Sequence, residues 1–250
     1  MPRTFIIAEI GVNHDGSPMR AFELIRAARD AGADAVKFQL FRDRPEIEHL
    51  RFPSGTMPAF RVYADSAGVE FMCSPFYLEA VAAVDPLVRR HKVASGFLTD
   101  RAMLDAVCAT GKPVIVSTGM ASMADVRKAV RGRDNISLLH CVSSYPCPDE
   151  DANLDAITYL REQFDLPVGY SDHTAGILAP VAAVALGAII IEKHLTWSKD
   201  AIGPDHACSA EPDEFADMVR QIRRVETMLG DGMKRVMPSE AECAAVWRAA

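Results

Sequence analysis

The stretch "AIIIEKH", residues 188–194, begins as an apolar β-strand and ends in a glutamate, a lysine and a histidine. Four successive apolar residues are typical of a strand that is buried on both faces. Charged side chains rarely extend such a strand, because burying an unpaired charge costs several kcal/mol. The charged end therefore predicts that this strand stops at a polar site.

Similar short apolar runs recur along the chain and alternate with amphipathic helical patterns. The predicted strands are 4–10, 34–40, 69–74, 91–95, 113–118, 136–142, 167–171 and 188–194. The predicted helices are 18–31, 57–67, 77–85, 100–110, 122–131, 153–164, 176–186 and 213–229. Eight strand–helix units predict an α/β fold, a single (β/α)8 TIM barrel over residues 1–250. An open doubly wound sheet fits less well, since no Gly-x-Gly-x-x-Gly turn follows the first strand.

Local signals support several of these boundaries. Asp100 precedes one predicted helix, and Pro212 opens the last one, as helix starts prefer. Gly68 and Gly187 stand between a helix and the next strand, where a left-handed residue commonly ends the helix. Residues 42–58 contain three prolines and a glycine and are predicted to be mainly loop.

Composition limits the classes of partner. The 250 residues are 49% hydrophobic and carry a formal net charge of −7, with no block of lysine or arginine, which argues against nucleic acid. No apolar run approaches a membrane-spanning length, and no leader-like segment precedes the first strand, so we expect a cytoplasmic protein without membrane contact. The six cysteines form no Cys-x-x-Cys pair and are predicted to be reduced and mostly structural.

Polar residues gather at the carboxyl ends of the predicted strands, where a TIM barrel builds its active site. Side chains alternate along a strand, so residues 37 and 39 share one face, as do 171 and 173, and 192 and 194. If these faces point inward, the polar side chains converge. The set comprises Glu9, Lys37, Gln39, Ser74, Lys92, Ser95, Ser117, Ser143, Ser171, His173, Glu192 and His194.

The two lysines indicate an anion site. Ammonium groups and hydroxyls suit phosphate oxygens, and Lys37 and Lys92 occur with Ser74, Ser95 and Ser117 at neighbouring strand ends. The alternative is a pair of salt bridges inside the barrel, with Glu9 and Glu192 as partners.

Two histidines indicate a metal site. His173 and His194 lie at the same predicted height on neighbouring strands, with Asp172 and Glu192 available as supporting or proton-transfer groups. Two imidazoles leave most of an octahedral shell to substrate and water, which suits Mn²⁺ best, with Mg²⁺ or Co²⁺ as alternatives. His14 and His206, in loops above the barrel, are either substrate contacts or ordinary loop histidines. A core position is predicted for His140.

Nine segments, in this order and spacing, resemble the N-acetylneuraminate (sialic acid) synthase family from about residue 4 to about residue 240. They are "AEIGVNHDG", "GADAVKFQ", "MCSPF", "KVASG", "IVSTGM", "LLHCVSSYPCP", "GYSDHT", "EKHLT" and "GPDHACSAEPDEF". The resemblance implies a barrel enzyme that condenses phosphoenolpyruvate with an aldose such as an N-acetylhexosamine, giving a 2-keto sugar acid and phosphate.

The resemblance also implies roles for residues. His173 and His194 correspond to metal ligands. Glu9 and Glu192 are the candidate catalytic carboxyls, with the proton-transfer and cation-stabilising roles open between them, and Glu9 also corresponds to the acceptor-sugar side. The phosphoenolpyruvate side comprises Lys37, Ser74, Lys92, Ser95, Ser117, Ser143 and Ser171. The acceptor-sugar side comprises Gln39, Tyr145 and Asp205. A homodimer is implied as well.

The sequence departs from the family pattern at three places. Ser143 replaces a usual asparagine, the stretch after "VKFQ" is shortened, and the family's small antifreeze-protein-like domain is predicted to be absent after the barrel. Two other functions compete with the leading one. The first is a metal-dependent aldolase or another phosphoenolpyruvate-using synthase with a different aldehyde, and the second is a non-catalytic barrel that binds a sugar phosphate.

Overall fold

The computed structural model describes residues 3–42, 52 and 55–248. Its strands are β1 (Phe5–Gly11), β2 (Ala35–Leu40), β3 (Glu70–Pro75), β4 (His91–Val93), β5 (Val114–Ser117), β6 (Ile136–His140), β7 (Val168–Asp172) and β8 (Ile190–His194). Its helices are α1 (Pro18–Asp30), α2 (Thr56–Ala67), α3 (Ala80–Val84), α4 (Arg101–Ala109), α5 (Met123–Val130), α6 (Ala156–Phe164), α7 (Leu178–Ala185), α8 (Pro212–Leu229) and α9 (Ala241–Arg248). The predicted alternation of strand and helix is confirmed.

The eight strands form one sheet in the order β3-β2-β1-β8-β7-β6-β5-β4. Every hydrogen-bonded pair is parallel. The strands at the two ends of this order, β3 and β4, contact each other, so the sheet curls into a nearly closed barrel. Helices surround it, which confirms the predicted TIM barrel.

Two apolar regions hold the barrel together. A large core between the sheet and the helix ring takes the outward residues of the strands, such as Ile6, Phe38 and Ile191. A smaller core fills the lower half of the interior. Its members are Ile7, Ala35, Met72, Ile115, Leu139 and Ile190. Above this layer the inward positions become polar, so the interior is apolar at the bottom and charged at the carboxyl ends of the strands.

Gly169 is required by this tight packing. A Cβ atom at that position would lie 2.3 Å from the carbonyl oxygen of Ile190 and 2.7 Å from a methyl carbon of Leu139. Such distances are far inside van der Waals contact, so β7 approaches β8 and β6 this closely because the position carries no side chain.

The helix boundaries follow the predicted signals. The side chain of Asp100 accepts a hydrogen bond from the backbone N–H of Met103 and caps α4. Pro212 is in the first turn of α8. Gly68 ends α2 with a left-handed φ of 81°, which glycine adopts without steric cost.

Some elements differ from the prediction. Strand β4 ends at Val93 because residues 95–97 turn into a short 3-10 helix, and α3 covers only Ala80–Val84 of the predicted 77–85. Helix α9 lies beyond the predicted elements. Most of the predicted loop at 42–58 lies outside the described residues. Among the described helices, none is long and apolar enough to cross a membrane.

Candidate active site

A cavity of about 370 Å³ opens at the carboxyl ends of the strands. Of the residues predicted to be catalytic, substrate-binding or metal-binding, all except Asp205 line it: Glu9, Lys37, Gln39, Ser74, Lys92, Ser95, Ser117, Ser143, Tyr145, Ser171, His173, Glu192 and His194. Phe76, Met120 and Cys141 complete much of the wall. A larger groove of about 840 Å³ runs along the outer wall at α4 and α5, but it contains none of these residues. The strand alternation predicted from the sequence therefore brings the polar side chains together.

Two carboxylates and two ammonium groups lie close together in the wall of the cavity. Lys37 contacts Oε2 of Glu9, and its Nζ lies 3.7 Å from Oε2 of Glu192. The Nζ of Lys92 lies 3.4 Å from Oε1 of Glu192. Both salt bridges that competed with the anion site are thus present. All four side chains line the cavity, however, so each lysine can contact a bound anion in addition to its glutamate partner.

The two glutamates differ in acidity. Burial raises the pKa of Glu9 to about 7, and the charge of Glu192 adds to the rise, although Lys37 opposes it. Burial also acts to raise the pKa of Glu192, but Lys37 and Lys92 outweigh it and lower that pKa. The cluster therefore takes up its first proton at Glu9, while Glu192 stays ionised.

Hydroxyl groups gather around Gly119 in another part of the cavity wall. Ser95 Oγ accepts a hydrogen bond of 3.1 Å from the backbone N–H of Gly119. A Cβ atom at Gly119 would lie 2.4 Å from Ser143 Oγ and 2.8 Å from Ser95 Oγ. Ser117 Oγ is buried without a hydrogen-bond partner among the described residues. This wall offers small donors around a close backbone approach, an arrangement that suits an anionic oxygen.

Gly119 was not among the predicted site residues. Its signal is the glycine that directly follows the polar strand end in "VSTGM", residues 116–120. Cys141 was assigned to structure, yet its Sγ lies 3.1 Å from Ser95 Oγ on the cavity wall. All six cysteines are free thiols.

The two histidines line the cavity from neighbouring strand ends, with ring centres 5.5 Å apart and ring planes inclined by 56°. Nδ1 of His173 lies 2.6 Å from the carbonyl oxygen of Val142. A carbonyl only accepts, so Nδ1 carries the proton and Nε2 keeps its lone pair. Nδ1 of His194 is buried without a hydrogen-bond partner among the described residues, 3.6 Å from Oδ2 of Asp205. Burial lowers the pKa of both imidazoles, which keeps them neutral.

These two rings fit the chemistry of a divalent metal. Metal-binding imidazoles are neutral and commonly donate their second N–H to a carbonyl or carboxylate, as His173 does to Val142. No group of three or more His, Cys, Asp or Glu side chains is arranged to hold a metal within the described part of the chain. Two protein ligands would leave the remaining positions of an ion to water and substrate oxygens.

The predicted acceptor side converges on Gly11. A Cβ atom there would lie 3.0 Å from Glu9 Oε1, 3.3 Å from Gln39 Nε2 and 3.4 Å from Asp205 Oδ2. Gln39 donates a 2.7 Å hydrogen bond to Glu9 Oε1. Burial raises the pKa of Asp205 to about 6. Tyr145 stands at the mouth, with its ring centre 4.1 Å from that of His173.

The loop that carries Asp205 is fastened by a histidine. His206 is 1% exposed and bridges Asp15 Oδ1, at 3.0 Å, and Thr196 Oγ1, at 2.7 Å. His14 instead contacts Phe52, with ring centres 3.9 Å apart and ring planes tilted by 35°. Neither imidazole is among the residues that line the cavity. His140, as predicted, is buried, and its Nε2 contacts the carbonyl of Ala152.

Asp172, predicted as a supporting or proton-transfer group, faces away from the cavity. It forms an ion pair of 2.6 Å with Lys193, and both side chains are completely buried. The alternation along β7 and β8 explains this position, since the neighbouring His173 and His194 point inward.

The chain is similar in sequence and in structure to several known proteins. The chain is 47% identical to Uncharacterized protein MJ1065 of Methanocaldococcus jannaschii, with 96% of this chain and 76% of the relative covered. It is 38% identical to the N,N'-diacetyllegionaminic acid synthase of Campylobacter jejuni, with 96% and 81% covered.

The crystal structure of N-acetylneuraminic acid (sialic acid) synthetase from Leptospira borgpetersenii superposes with a TM-score of 0.91 at 35% identity. The match covers 99% of this chain and 92% of that one. The model of the NeuB family matches residues 44–234. The resemblance inferred from the nine motifs is confirmed, and this chain belongs to the NeuB family.

Proposed function

We propose that this protein joins phosphoenolpyruvate to the aldehyde form of an acetamido sugar, giving a 2-keto sugar acid and inorganic phosphate. The observation that carries the proposal is the cavity itself, in which Lys37 and Lys92 stand beside a hydroxyl wall and within reach of two neutral imidazoles. Relatives named as sialic and legionaminic acid synthases support an acceptor that carries acetamido groups.

The anionic substrate fits the wall around Gly119. Phosphoenolpyruvate brings a phosphate and a carboxylate, and the cavity offers two ammonium groups and the hydroxyls of Ser74, Ser95, Ser117 and Ser143. Because both lysines are buried, their charges act through a medium of low polarity and are stronger than at a surface.

The acceptor fits the opposite side, at Glu9, Gln39 and Asp205. These three side chains meet around Gly11 and can accept from or donate to sugar hydroxyls. His173 and His194 would hold a divalent ion, for which we propose Mn²⁺. When bound, that ion supplies Lewis-acid polarisation of the acceptor's carbonyl oxygen.

The reaction changes the aldehyde carbon of the acceptor and carbon 2 of phosphoenolpyruvate. The electron pair of the enol double bond forms the new carbon–carbon bond to the aldehyde carbon, and the aldehyde oxygen ends as a hydroxyl. Positive charge develops at carbon 2 of phosphoenolpyruvate, where the carboxylate of Glu192 stabilises it. Water adds at carbon 2 and gives one proton to Glu9, which passes it to the former aldehyde oxygen. The carbon–oxygen bond to phosphate then breaks, the departing phosphate takes the remaining hydroxyl proton, and carbon 2 becomes the ketone.

The experiment measures phosphate release by purified protein with phosphoenolpyruvate, Mn²⁺ and a panel of aldoses. The panel contains an N-acetylhexosamine, its phosphorylated form and a diacetamido hexose. A reaction without any sugar serves as the blank. Release that depends on the acceptor, with a product mass equal to the sum of the sugar and pyruvate, supports the proposal. If phosphate release never depends on an aldose, the proposal is wrong.

A pair of lysine variants tests the anion site separately. Lys92→Met removes a buried ammonium group of the cavity, whereas Lys128→Met changes an exposed lysine on α5. We expect phosphoenolpyruvate binding, measured by calorimetry, to weaken only in Lys92→Met. Equal binding by both variants would contradict the assigned position of the substrate.

A further inference from the structure

We infer that Asp172 and Lys193 are positioning residues that fix His173 and His194 relative to each other. This inference rests on the proposed function, because it concerns the pair of imidazoles assigned to the metal. The two residues lie outside the cavity, on the opposite face of β7 and β8. They are register partners in the ladder between these two strands.

The contacts of Lys193 reach both sides of His173. Its Nζ donates to Oδ2 of Asp172 at 2.6 Å and to the carbonyl oxygen of Thr174 at 2.6 Å. Asp172 and Thr174 are the residues directly before and after His173. Lys193 itself directly precedes His194. The side chain of Lys193, which directly precedes His194, therefore binds the residues on both sides of His173: the carboxylate of Asp172 and the backbone carbonyl of Thr174.

The carboxylate of Asp172 is also held on its other oxygen. Oδ1 accepts hydrogen bonds from the hydroxyl of Tyr170 at 3.1 Å, from the backbone N–H of Thr174 at 3.0 Å and from its hydroxyl at 2.8 Å. Both carboxylate oxygens and the ammonium group are thus occupied. Asp172 cannot turn toward the cavity without abandoning all of these partners.

A buried ion pair is a poor means of adding stability, since replacing it with apolar residues of similar volume is often neutral. Its best-attested use is to select one register or one arrangement over others. Register matters here because a slip of one residue would exchange the inward and outward faces of a strand. We conclude that the pair sets the relative height of the two imidazoles.

The test measures Mn²⁺ affinity directly, by the electron paramagnetic resonance signal of free Mn²⁺ titrated with protein. The double variant Asp172→Asn/Lys193→Met removes both charges and keeps similar shapes. Its expected affinity is about 10-fold to 100-fold weaker than wild type, the range typical for the loss of groups that orient metal ligands. Thermal unfolding establishes that the variant is folded.

The control for destabilisation alone is Ile157→Val, a completely buried core position on α6 that lies outside the cavity. The inference is overturned if the double variant binds Mn²⁺ as tightly as Ile157→Val, or if it weakens binding only in proportion to its lower melting temperature. If wild type and His194→Ala bind Mn²⁺ equally, the metal assignment itself fails, and this inference fails with it. Phosphoenolpyruvate binding without metal should remain unchanged in the double variant.

Discussion

Glu9 and Lys37 form a buried ion pair between register partners on neighbouring strands β1 and β2. Glu192 adds a second carboxylate to the same ammonium group, at 3.7 Å from Lys37 Nζ. Two acids thus compete for one cation. Burial and this competition account for the raised pKa of Glu9, which is about 7.

The acidity of Glu9 predicts the pH dependence of turnover. Because its pKa is raised, Glu9 is protonated below about pH 7 and ionised above it. Since it acts as a proton acceptor in the proposed reaction, kcat/KM should rise with pH through a midpoint near 7. Glu9→Gln should lower turnover and remove this inflection. An identical inflection in Glu9→Gln would assign the ionisation to another group.

The imidazole of His194 should be essential for turnover. Loss of a metal ligand is expected to reduce kcat by more than about 100-fold, exceeding the usual effect of residues that only orient ligands. Far-ultraviolet circular dichroism of His194→Ala should stay near wild type, because residues at this end of a TIM barrel contribute more to chemistry than to packing. The matched variant His140→Gln alters a buried histidine outside the cavity and should keep most of the activity. An unfolded His194→Ala protein would instead give this histidine a structural role.

A methyl group at Gly119 should weaken phosphoenolpyruvate binding at the serine hydroxyls around this residue. Its Cβ would meet two serine hydroxyls at 2.4 and 2.8 Å, so Gly119→Ala displaces the donors that face the substrate. Hydrogen bonds to charged groups contribute about 1.5–3 kcal/mol, so phosphoenolpyruvate affinity should fall by about 10-fold to 100-fold. Gly96→Ala is the matched control, since a Cβ there meets nothing within 4 Å on the same cavity wall. Calorimetric titration of both variants tests the difference, and equal affinities would contradict it.

The histidine that fastens the loop at 197–209 should affect the acceptor selectively. His206→Ala removes the contacts to Asp15 and Thr196 and releases the loop carrying Asp205. We expect a higher KM for the sugar and an unchanged KM for phosphoenolpyruvate, and partial recovery in His206→Gln. Ile202→Ala, on the same loop and 99% exposed, serves as the control. A rise in both KM values would indicate a general loss of structure.

Much of the site could be predicted because side chains along a β-strand point alternately to its two faces. The alternation placed Lys37 with Gln39 and Glu192 with His194 on single faces, and the structure turns these faces inward. The apolar run at 188–191 likewise forms the start of β8 and the two residues before it; Ala188, Ile190 and Ile191 are buried and Ile189 is half-buried. Whether these side chains perform their assigned roles stays a prediction.

Other parts depend on contacts that no local pattern contains. Gly119 matters through the distance between its backbone and serines on two other strand ends, which only the closed barrel determines. His206 looked equivalent to His14 in sequence, and only the fold shows which one bridges Asp15 and Thr196. The outward partner of Asp172 could not be identified either, because the pairing joins residues 21 positions apart.

The carboxyl ends of β7 and β8 carry an imidazole on the inner face and a member of the Asp172–Lys193 ion pair on the outer face. This arrangement restricts how the protein can change during evolution. A substitution changes one side chain at a time. The insertion or deletion of one residue within 170–174 or 191–195, however, would turn the Asp172–Lys193 ion pair toward the cavity and the imidazoles toward the helix ring. Length variation should therefore be confined to the connecting loops. Homologues that differ in acceptor are expected to differ there, while these two pentapeptides keep a constant length.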